Sequence, residues 1–427
     1  MASPLALGID FGTTNSAIAY LQPNGTVGMV PFADGELTSR SVLFALQHRT
    51  RPGRPVNIWT GGAAIEQYLA TGDDPDLEAS RRFIQSLKSH LTARELTGTE
   101  IFGRQYRFED LVARILTDLR TQASQHLGYE VTTALVGRPV QFVGAQQSAD
   151  NDFAEQRLRA SLEQAGFQDV RFAMEPIAAA YAAEQHTPQD GLLLIGDFGG
   201  GTTDFSLLRI RSGQREVLGS TGLGIAGDAF DAKIVRYLIA PALGSESMAR
   251  ELGKTLPALP AWVYANLERW HTLSFLKTHA VTNLLRNTQR RAMEPEKIQA
   301  LSAVIDHDLG FLLHRSVRQL KTDLTEQDTA EFVLDTEAVQ LRQTVQRSTF
   351  ESWIAPELSR MEAALEELLT QTGMPASAVD RVFLTGGTSL VPAVRRLFTT
   401  RFQEDRVRSG GVLTSVAHGL ALMAAER

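Results

Sequence analysis

The chain of 427 residues contains no cysteine, which excludes disulfides, thiolate metal sites and cysteine nucleophiles. It has no excess of basic charge either. Its 42 lysines and arginines stand against 49 acids, a net charge of -7, the wrong sign for a broad nucleic-acid surface that must displace counterions from phosphate. A small anionic ligand stays admissible, because a few backbone N–H groups can hold a phosphate inside an acidic protein. Long apolar runs are also missing. Stretches such as Leu192–Ile195 fall far short of the roughly 20 residues that span a bilayer. An acid at position 10 with no basic segment ahead of it does not fit a secretory leader. The expectation is a cytoplasmic protein without nucleic-acid or membrane partners. The nine histidines show no metal-ligand spacing, and neither H-E-x-x-H nor G-x-S-x-G occurs. With 43% hydrophobic and 21% charged residues the composition is that of a globular protein, and its length calls for more than one packed unit.

What is present begins with strands joined by tight turns. Leu5–Ile9 and Ala17–Leu21 are apolar runs, Asn24-Gly25 reads as a hairpin turn into Thr26–Phe32, and Ser41–Leu46 is a further strand. Helical periodicity covers Phe108–Leu127 and Asp152–Ala165, with Gly166 closing the second helix and a strand at Thr132–Gly137 between them. After a polar break at Thr187–Gly191 come strands at Leu192–Gly196 and Phe205–Ile210. Pro241–Asp323 reads as mostly helical, with Trp262, Leu267, Trp270, Leu273 and Leu276 at helical spacing. Beyond it lie a hairpin over Glu331–Leu334 and Ala338–Val345, a long helix over Phe350–Leu369, a strand at Arg381–Thr385, and closing helices at Val394–Phe402 and Thr414–Arg427.

Two of these turns match. Leu7-Gly8-Ile9-Asp10-Phe11-Gly12-Thr13-Thr14 and Ile195-Gly196-Asp197-Phe198-Gly199-Gly200-Gly201-Thr202-Thr203 share strand, acid, Phe-Gly, hydroxyl pair and a second strand. A repeat this far apart points to two duplicated lobes rather than a short-period array. The chemistry suits a phosphate and a cation. Glycines let backbone N–H groups approach anionic oxygens, and threonine hydroxyls add donors. An acid beside a phosphate needs a cation between them, so Asp10 and Asp197 imply Mg²⁺ held through its waters. A third glycine pair, Gly386-Gly387, follows another strand. Two weaker matches are set aside. Gly253-Lys254-Thr255 has Met248 where a P-loop needs glycine and reads as a loop. Gly222–Gly227 fits G-x-G-x-x-G but lacks the ribose acid and second strand of a dinucleotide fold, and reads as a turn on the phosphate side.

At these residues the sequence resembles a known family. Gly8–Ser16 is similar to the first phosphate motif of the DnaK-type seventy-kilodalton heat-shock chaperones, Asp197–Asp204 to their second, and Leu384–Pro392 to their adenosine motif. Glu175-Pro176-Ile177-Ala178-Ala179-Ala180 resembles the connecting segment that carries a catalytic glutamate. Within the family the chain looks most like the short, YegD-type members that consist of the ATPase portion alone. The resemblance implies an α/β, actin-like ATPase fold of two duplicated ribonuclease-H-like lobes with a nucleotide cleft and a helical insertion. Lobe I would span 1–188, completed by a helix at 411–427, and lobe II would span 189–410 with the helical segment 241–323. It further implies ATP and Mg²⁺ as cofactors. Asp10 and Asp197 would orient the magnesium waters and Glu175 would stand near the attacking water. Gly12, Thr13, Thr14, Asn15, Gly199, Gly200, Gly201, Thr202, Thr203, Gly227, Gly386, Gly387 and Thr388 would cradle the nucleotide. Lys88 matches the family's phosphate-contacting lysine, with Arg81 and Arg82 as alternatives, and Lys321 matches a ribose-contacting lysine. Gly227 and Asp231 match the turn after the second phosphate motif.

Departures qualify the match. The two arginines that bracket the adenine ring in the family correspond here to Thr322 and Leu390, and Arg318 stands where a ribose-contacting glutamate is expected. Guanidinium stacking supports the base, so altered nucleotide affinity is expected. The acid before the final helix is replaced by Leu413-Thr414-Ser415, and the expectation is a protein without the family's peptide-binding domain. Three functions remain open: a Mg²⁺-dependent ATPase, a nucleotide-responsive module that binds an unidentified protein partner with little turnover, and a small-molecule kinase. The last lacks an obvious general-base aspartate outside the magnesium pair.

Overall fold

The computed structural model describes residues 7–33, 35–48, 56–72, 79–183, 190–251, 254–268, 276–307, 309–410 and 414–425. Trp270, Leu273, Gly253 and Leu413, and the lobe boundaries at 188/189 and 411, lie outside them. The chain packs as two compact units. The first comprises Met1–Ala226, Arg360–Leu390 and Val394–Arg427; the second comprises Gly227–Ser359 with Val391–Ala393.

The first unit holds two large sheets with one topology. In one, Leu7–Phe11 pairs antiparallel with Asn15–Leu21 and parallel with Thr133–Arg138, which pairs parallel with Asp169–Met174. Val27–Met29 and Ser39–Arg40 extend the Asn15–Leu21 side. In the other, Gly191–Phe198 pairs antiparallel with Thr203–Arg211 and parallel with Arg381–Thr385, which pairs parallel with Val407–Ser409. Gln214–Leu223 extends the Thr203–Arg211 side. Order and direction correspond strand for strand, so the repeat read in the sequence is a repeat of topology. The division into two lobes stands as a proposal resting on this correspondence.

Between the sheets runs a core of Leu135, Leu193, Ile195, Leu208, Ile210, Val416 and Leu420, closed by Ala178, Ala179 and Ala180. The alanines lie on the helix Glu175–Ala183 and Leu420 on the helix Ser415–Ala425. Small residues bring these helices into backbone contact. A Cβ on Gly419 would overlap the Ala178 carbonyl, and one on Gly8 would overlap the backbone of Ala417 and Ala421. The helix Ser415–Ala425 thus packs on the first sheet through Gly8. A second core gathers the inner faces of Leu7, Ile9 and Phe11 with Leu111, Val112, Ile115, Leu116 and Leu119, the i, i+3, i+4 stripe of the helix Phe108–Leu127. That helix ends at Gly128 in the left-handed conformation.

Most elements match the sequence reading; two differ. The helix expected from Asp152 starts at Ser148, because Asp150 accepts hydrogen bonds from the N–H groups of Gln146 and Gln147 and caps it early. In the second unit the stretch expected to be mostly helical contains a hairpin, Met248–Glu251 against Lys254–Pro257. Lys254 therefore stands in a strand rather than the expected loop. The remainder is helical, at Ala261–Ala265, His279–Gln289, Pro295–Asp306 and Gly310–Glu326. The helix Gly61–Gly72 and the strand Ala79–Gln85 had no sequence counterpart.

The glycine contact between the two helices has a measurable consequence. Overpacking a fixed backbone contact costs about 1–3 kcal/mol or more, so Gly419→Ala is expected to lower unfolding free energy by about 3 kcal/mol. Gly224→Ala, whose Cβ meets nothing within 4 Å, should change it by less than about 1 kcal/mol. Urea unfolding of both variants checks this, and equal midpoints would refute it.

Candidate functional site

Both glycine turns sit at equivalent places, where the first strand of each sheet hands over to the second. Asp10 is opposite Ala17 and Phe11 opposite Ser16; Asp197 is opposite Asp204 and Phe198 opposite Thr203. The two connections thus have equal length. Gly12–Asn15 corresponds to Gly199–Thr202, and the pair Thr202-Thr203 corresponds to Asn15-Ser16 rather than to Thr13-Thr14. Burial follows this register. Ser16 and Thr203 are both buried, with hydroxyls spent inside the protein: Ser16 shares a 2.9 Å hydrogen bond with Ser41, and Thr203 donates to the Ile225 carbonyl at 2.7 Å. The Thr203 hydroxyl is thus engaged within the protein, at the first residue of its strand.

Local geometry explains the glycines. A Cβ on Gly12 would overlap the Asn15 carbonyl. Gly199 donates its N–H to the Thr202 carbonyl at 2.9 Å. Gly386, at φ 85°, lies against the backbone of Phe198, where any side chain would collide. The third glycine pair is thereby fixed beside the second turn. Ser389 donates to the Gly386 carbonyl at 2.6 Å, Thr388 is buried with its hydroxyl 3.5 Å from the Gly199 carbonyl, and Gly387 faces open space.

The charged groups converge. Lys88, on the short helix Leu87–His90, donates to Glu175 at 2.7 Å, and the two side chains are only 10% and 11% exposed. Glu175 opens the helix Glu175–Ala183. Burial pushes the Asp10 carboxyl up to about 7, helped by Glu175 and Asp197 and opposed by Lys88. Asp197 rises to about 7 through burial, Glu175 and Asp204. Asp204 does the same through burial and Glu175, against a hydrogen bond from Thr202. Burial pulls Lys88 down, but Glu175, Asp10 and Asp197 outweigh it and the ammonium is held above its ordinary value. One cation therefore contacts Glu175 directly and offsets the charge of three further buried acids.

Other expected residues are placed as follows. The Thr13 hydroxyl lies 3.4 Å from that of Ser89, and Asn15 accepts from Arg40 at 3.0 Å. The Thr14 carbonyl accepts from the Ser41 N–H. Gly200, Gly201 and Thr202 are half-buried. Arg82 is spent on the Glu100 carbonyl and on Thr99, which leaves Lys88 as the cation among the carboxylates. In the second unit, Gly227 begins the helix Gly227–Ile234. Lys321 pairs with Asp231 at 2.7 Å and donates to the Gly227 carbonyl at 3.2 Å. Arg318 is pulled down by burial, against the pull of Asp231 and Asp228. Two members of the carboxylate site went unread. Asp204 stands last in the second motif, and its cue was the strand register that puts it opposite Asp197. Ser89 had no cue beyond its place next to Lys88.

This chemistry suits a hard cation and an anionic ligand. Oxygen donors dominate, and with all four acids ionised Lys88 neutralises only one. Among the described residues no group of three or more His, Asp or Glu side chains is arranged to hold a metal directly. An ion at Asp10 and Asp197 would therefore keep its waters, as Mg²⁺ prefers.

Carboxyls that ionise near 7 when folded and near 3.8 when unfolded hold their protons longer in the native state. Their stabilising contribution is full below about pH 4 and is lost as pH rises through about 7. In EDTA without nucleotide, stability is expected to fall between about pH 4 and pH 7 from these groups. Asp197→Asn should flatten that fall and gain on the order of 2 kcal/mol at pH 8. Denaturant unfolding across pH tests this; an unchanged slope in the variant would contradict it.

The family model described as Hsp70 protein matches residues 6–250 and 304–425. Over 425 residues the chain is 27% identical to the chaperone protein DnaK of Thermosipho africanus, covering 98% of this chain and 58% of that relative. Against the chaperone protein DnaK of Thermus thermophilus it is 28% identical over 432 residues, covering 98% and 60%. The chain thus spans less than two thirds of the length of these relatives. The stretch that the family model skips, 251–303, falls within the segment 241–323. With both glycine turns, Lys88, Glu175 and the third glycine pair inside the matched residues, the chain belongs to the Hsp70 family.

Proposed function

We propose that this chain binds ATP and hydrolyses it with Mg²⁺ in the cytoplasm. The observation that carries this reading is the assembly of Asp10, Asp197, Asp204 and Glu175 around Lys88, at the ends of two topologically equivalent strand pairs. A buried excess of negative charge is costly unless a cation complements it, and Mg²⁺ bound through water to Asp10 and Asp197 would supply that charge and screen the phosphates. Backbone N–H groups of Gly12–Thr14 and Gly200–Thr202, with the hydroxyls of Thr13, Thr14 and Thr202, would orient the phosphate oxygens. Gly386, Gly387 and Thr388 would border the same nucleotide.

For hydrolysis, the chain's own work is positioning and charge balance, since phosphoryl transfer asks for little covalent participation. Lys88 would neutralise charge on the transferring phosphate. Glu175, held by Lys88 at 2.7 Å, would accept a hydrogen bond from the attacking water and fix its direction. The base side is less specified. Leu390 is 47% exposed, and the Thr322 hydroxyl is spent on the Arg318 carbonyl at 3.0 Å; neither offers the guanidinium plane that supports adenine in the family. This favours a second reading in part, a nucleotide-responsive module with slow turnover, whose protein partner is unassigned.

Calorimetric titration of ATP, ADP and GTP with Mg²⁺ should give binding for all three, with ATP preferred over GTP by less than about tenfold, a difference of about 1.4 kcal/mol. Absence of binding by any of them would overturn the proposal. Asp10→Asn and Asp197→Asn should each slow single-turnover hydrolysis by roughly 100-fold or more. If both variants turn over like the wild type, the assignment of these acids fails. If the wild type binds but does not hydrolyse, the binding-module reading stands.

A further inference from the structure

We propose that Arg157 is a positioning residue for Lys88: its guanidinium ties down the carbonyls of the irregular segment that follows the lysine. The proposal rests on Lys88 being the site's cation. Lys88 does not come from either duplicated strand pair. It stands on a single turn of helix, Leu87–His90, entered through Ser86 in the left-handed conformation at φ 58°. The residues after it, 91–97, lie in no helix or strand. The carbonyls of Ala93, Glu95 and Thr97 accept one backbone N–H each, from Leu96, Thr97 and Phe108, which leaves those of Leu91 and Leu96 to a side-chain donor. Buried carbonyls need donors.

Arg157 supplies them. It sits on the helix Ser148–Gln164, buried at 7% side-chain exposure. Its Nη1 donates to the carbonyls of Leu91 at 3.3 Å and Ala93 at 3.1 Å, and its Nη2 to that of Leu96 at 2.8 Å. The His90 carbonyl lies 3.5 Å from Nη1, at the outer limit. Nε donates to Glu109 at 2.6 Å, and the guanidinium plane stands 4.1 Å from the centre of the Phe108 ring. Glu109 and Phe108 open the helix Phe108–Leu127, so one side chain joins two long helices to the segment after Lys88. Only a planar fork with five donors meets this set of acceptors at once. A lysine ammonium keeps the charge and cannot span it. With the strained Ser86 on one side and Arg157 on the other, the turn holds Lys88 against Glu175 from both ends.

The test compares Arg157→Lys with Leu162→Ala, a cavity variant in the same helix at a fully buried apolar residue. In Arg157→Lys, exchange of the Ala93 and Leu96 amides is expected to rise about tenfold. Labelling of Lys88 by an amine-reactive reagent, read by mass spectrometry, should rise about fivefold. Single-turnover hydrolysis should fall roughly 10- to 100-fold while the Kd for Mg-ATP moves by less than about threefold. Leu162→Ala should lower stability and leave these readouts at wild-type levels. Wild-type exchange and labelling in Arg157→Lys would overturn the proposal, as would raised exchange with unchanged turnover. If the wild type itself does not hydrolyse ATP, exchange and labelling still decide, and the failure belongs to the ATPase reading alone. Should Arg157→Lys not fold, Glu109→Gln loosens the guanidinium from one side. The same readouts are then expected to move in the same direction by about threefold; no movement would overturn the proposal.

Discussion

An unbalanced buried charge governs this structure. Asp10, Asp197, Asp204 and Glu175 face a single ammonium, Lys88, and burial holds three of the acids near 7. Among the described residues Lys88 is the cation whose charge opposes theirs at all three aspartates. Folding alone would select against such a cluster, since an unpaired buried carboxylate costs several kcal/mol in desolvation that only a counter-charge offsets. The cluster persists because it sits on strands whose stability comes from elsewhere, from apolar cores on both faces of duplicated sheets. The site stores a demand for positive charge, which the proposed Mg²⁺ would meet.

Duplication supplies the geometry and then departs from itself. Two sheets of the same strand order present an acid at the same register, Asp10 and Asp197, and a glycine turn of the same length after each. Opposite Asp10 stands Ala17, opposite Asp197 stands Asp204. The second turn therefore brings one more carboxylate than the first. The first turn instead leans on its neighbours through Asn15–Arg40, Ser16–Ser41 and Thr13–Ser89. Topological symmetry aligns the backbone, and side-chain asymmetry assigns the two halves different electrostatic tasks.

Much of this was legible in the sequence, for identifiable reasons. The strand–acid–glycine pattern around Asp10 and Asp197 is local, so its chemistry could be read without a fold. The helix Phe108–Leu127 announces itself through apolar periodicity and Gly128. Register was not legible. Matching the pairs Thr13-Thr14 and Thr202-Thr203 by hydroxyl chemistry sets them two residues off the strand ladders, in which Asn15-Ser16 corresponds to Thr202-Thr203. The hydroxyl match passed over Asp204, which the ladder puts opposite Asp197. The hairpin Met248–Glu251 with Lys254–Pro257 was hidden for a different reason. Four-residue strands with an exposed edge carry too little alternation to stand out from amphipathic helices around them.

Lys88 belongs to neither symmetric half, and this separates the constituents of the site by rigidity. Asp10, Asp197 and Asp204 lie in or beside ladders whose hydrogen bonds run strand to strand, so their positions move only if a sheet moves. Glu175 is fixed at the head of a helix whose alanines meet the backbone at Gly419. The lysine rests on one turn of helix and a run of carbonyls held by a guanidinium. An ion pair at 2.7 Å between a sheet-anchored helix and such a segment is strong only while the segment is held, because the Coulomb term falls as water enters between the charges. In the proposed function the acids would set where a phosphate and its metal can sit. The lysine would set whether the charge of a transferring phosphate is balanced there, and it is the element of the site most open to adjustment by its surroundings.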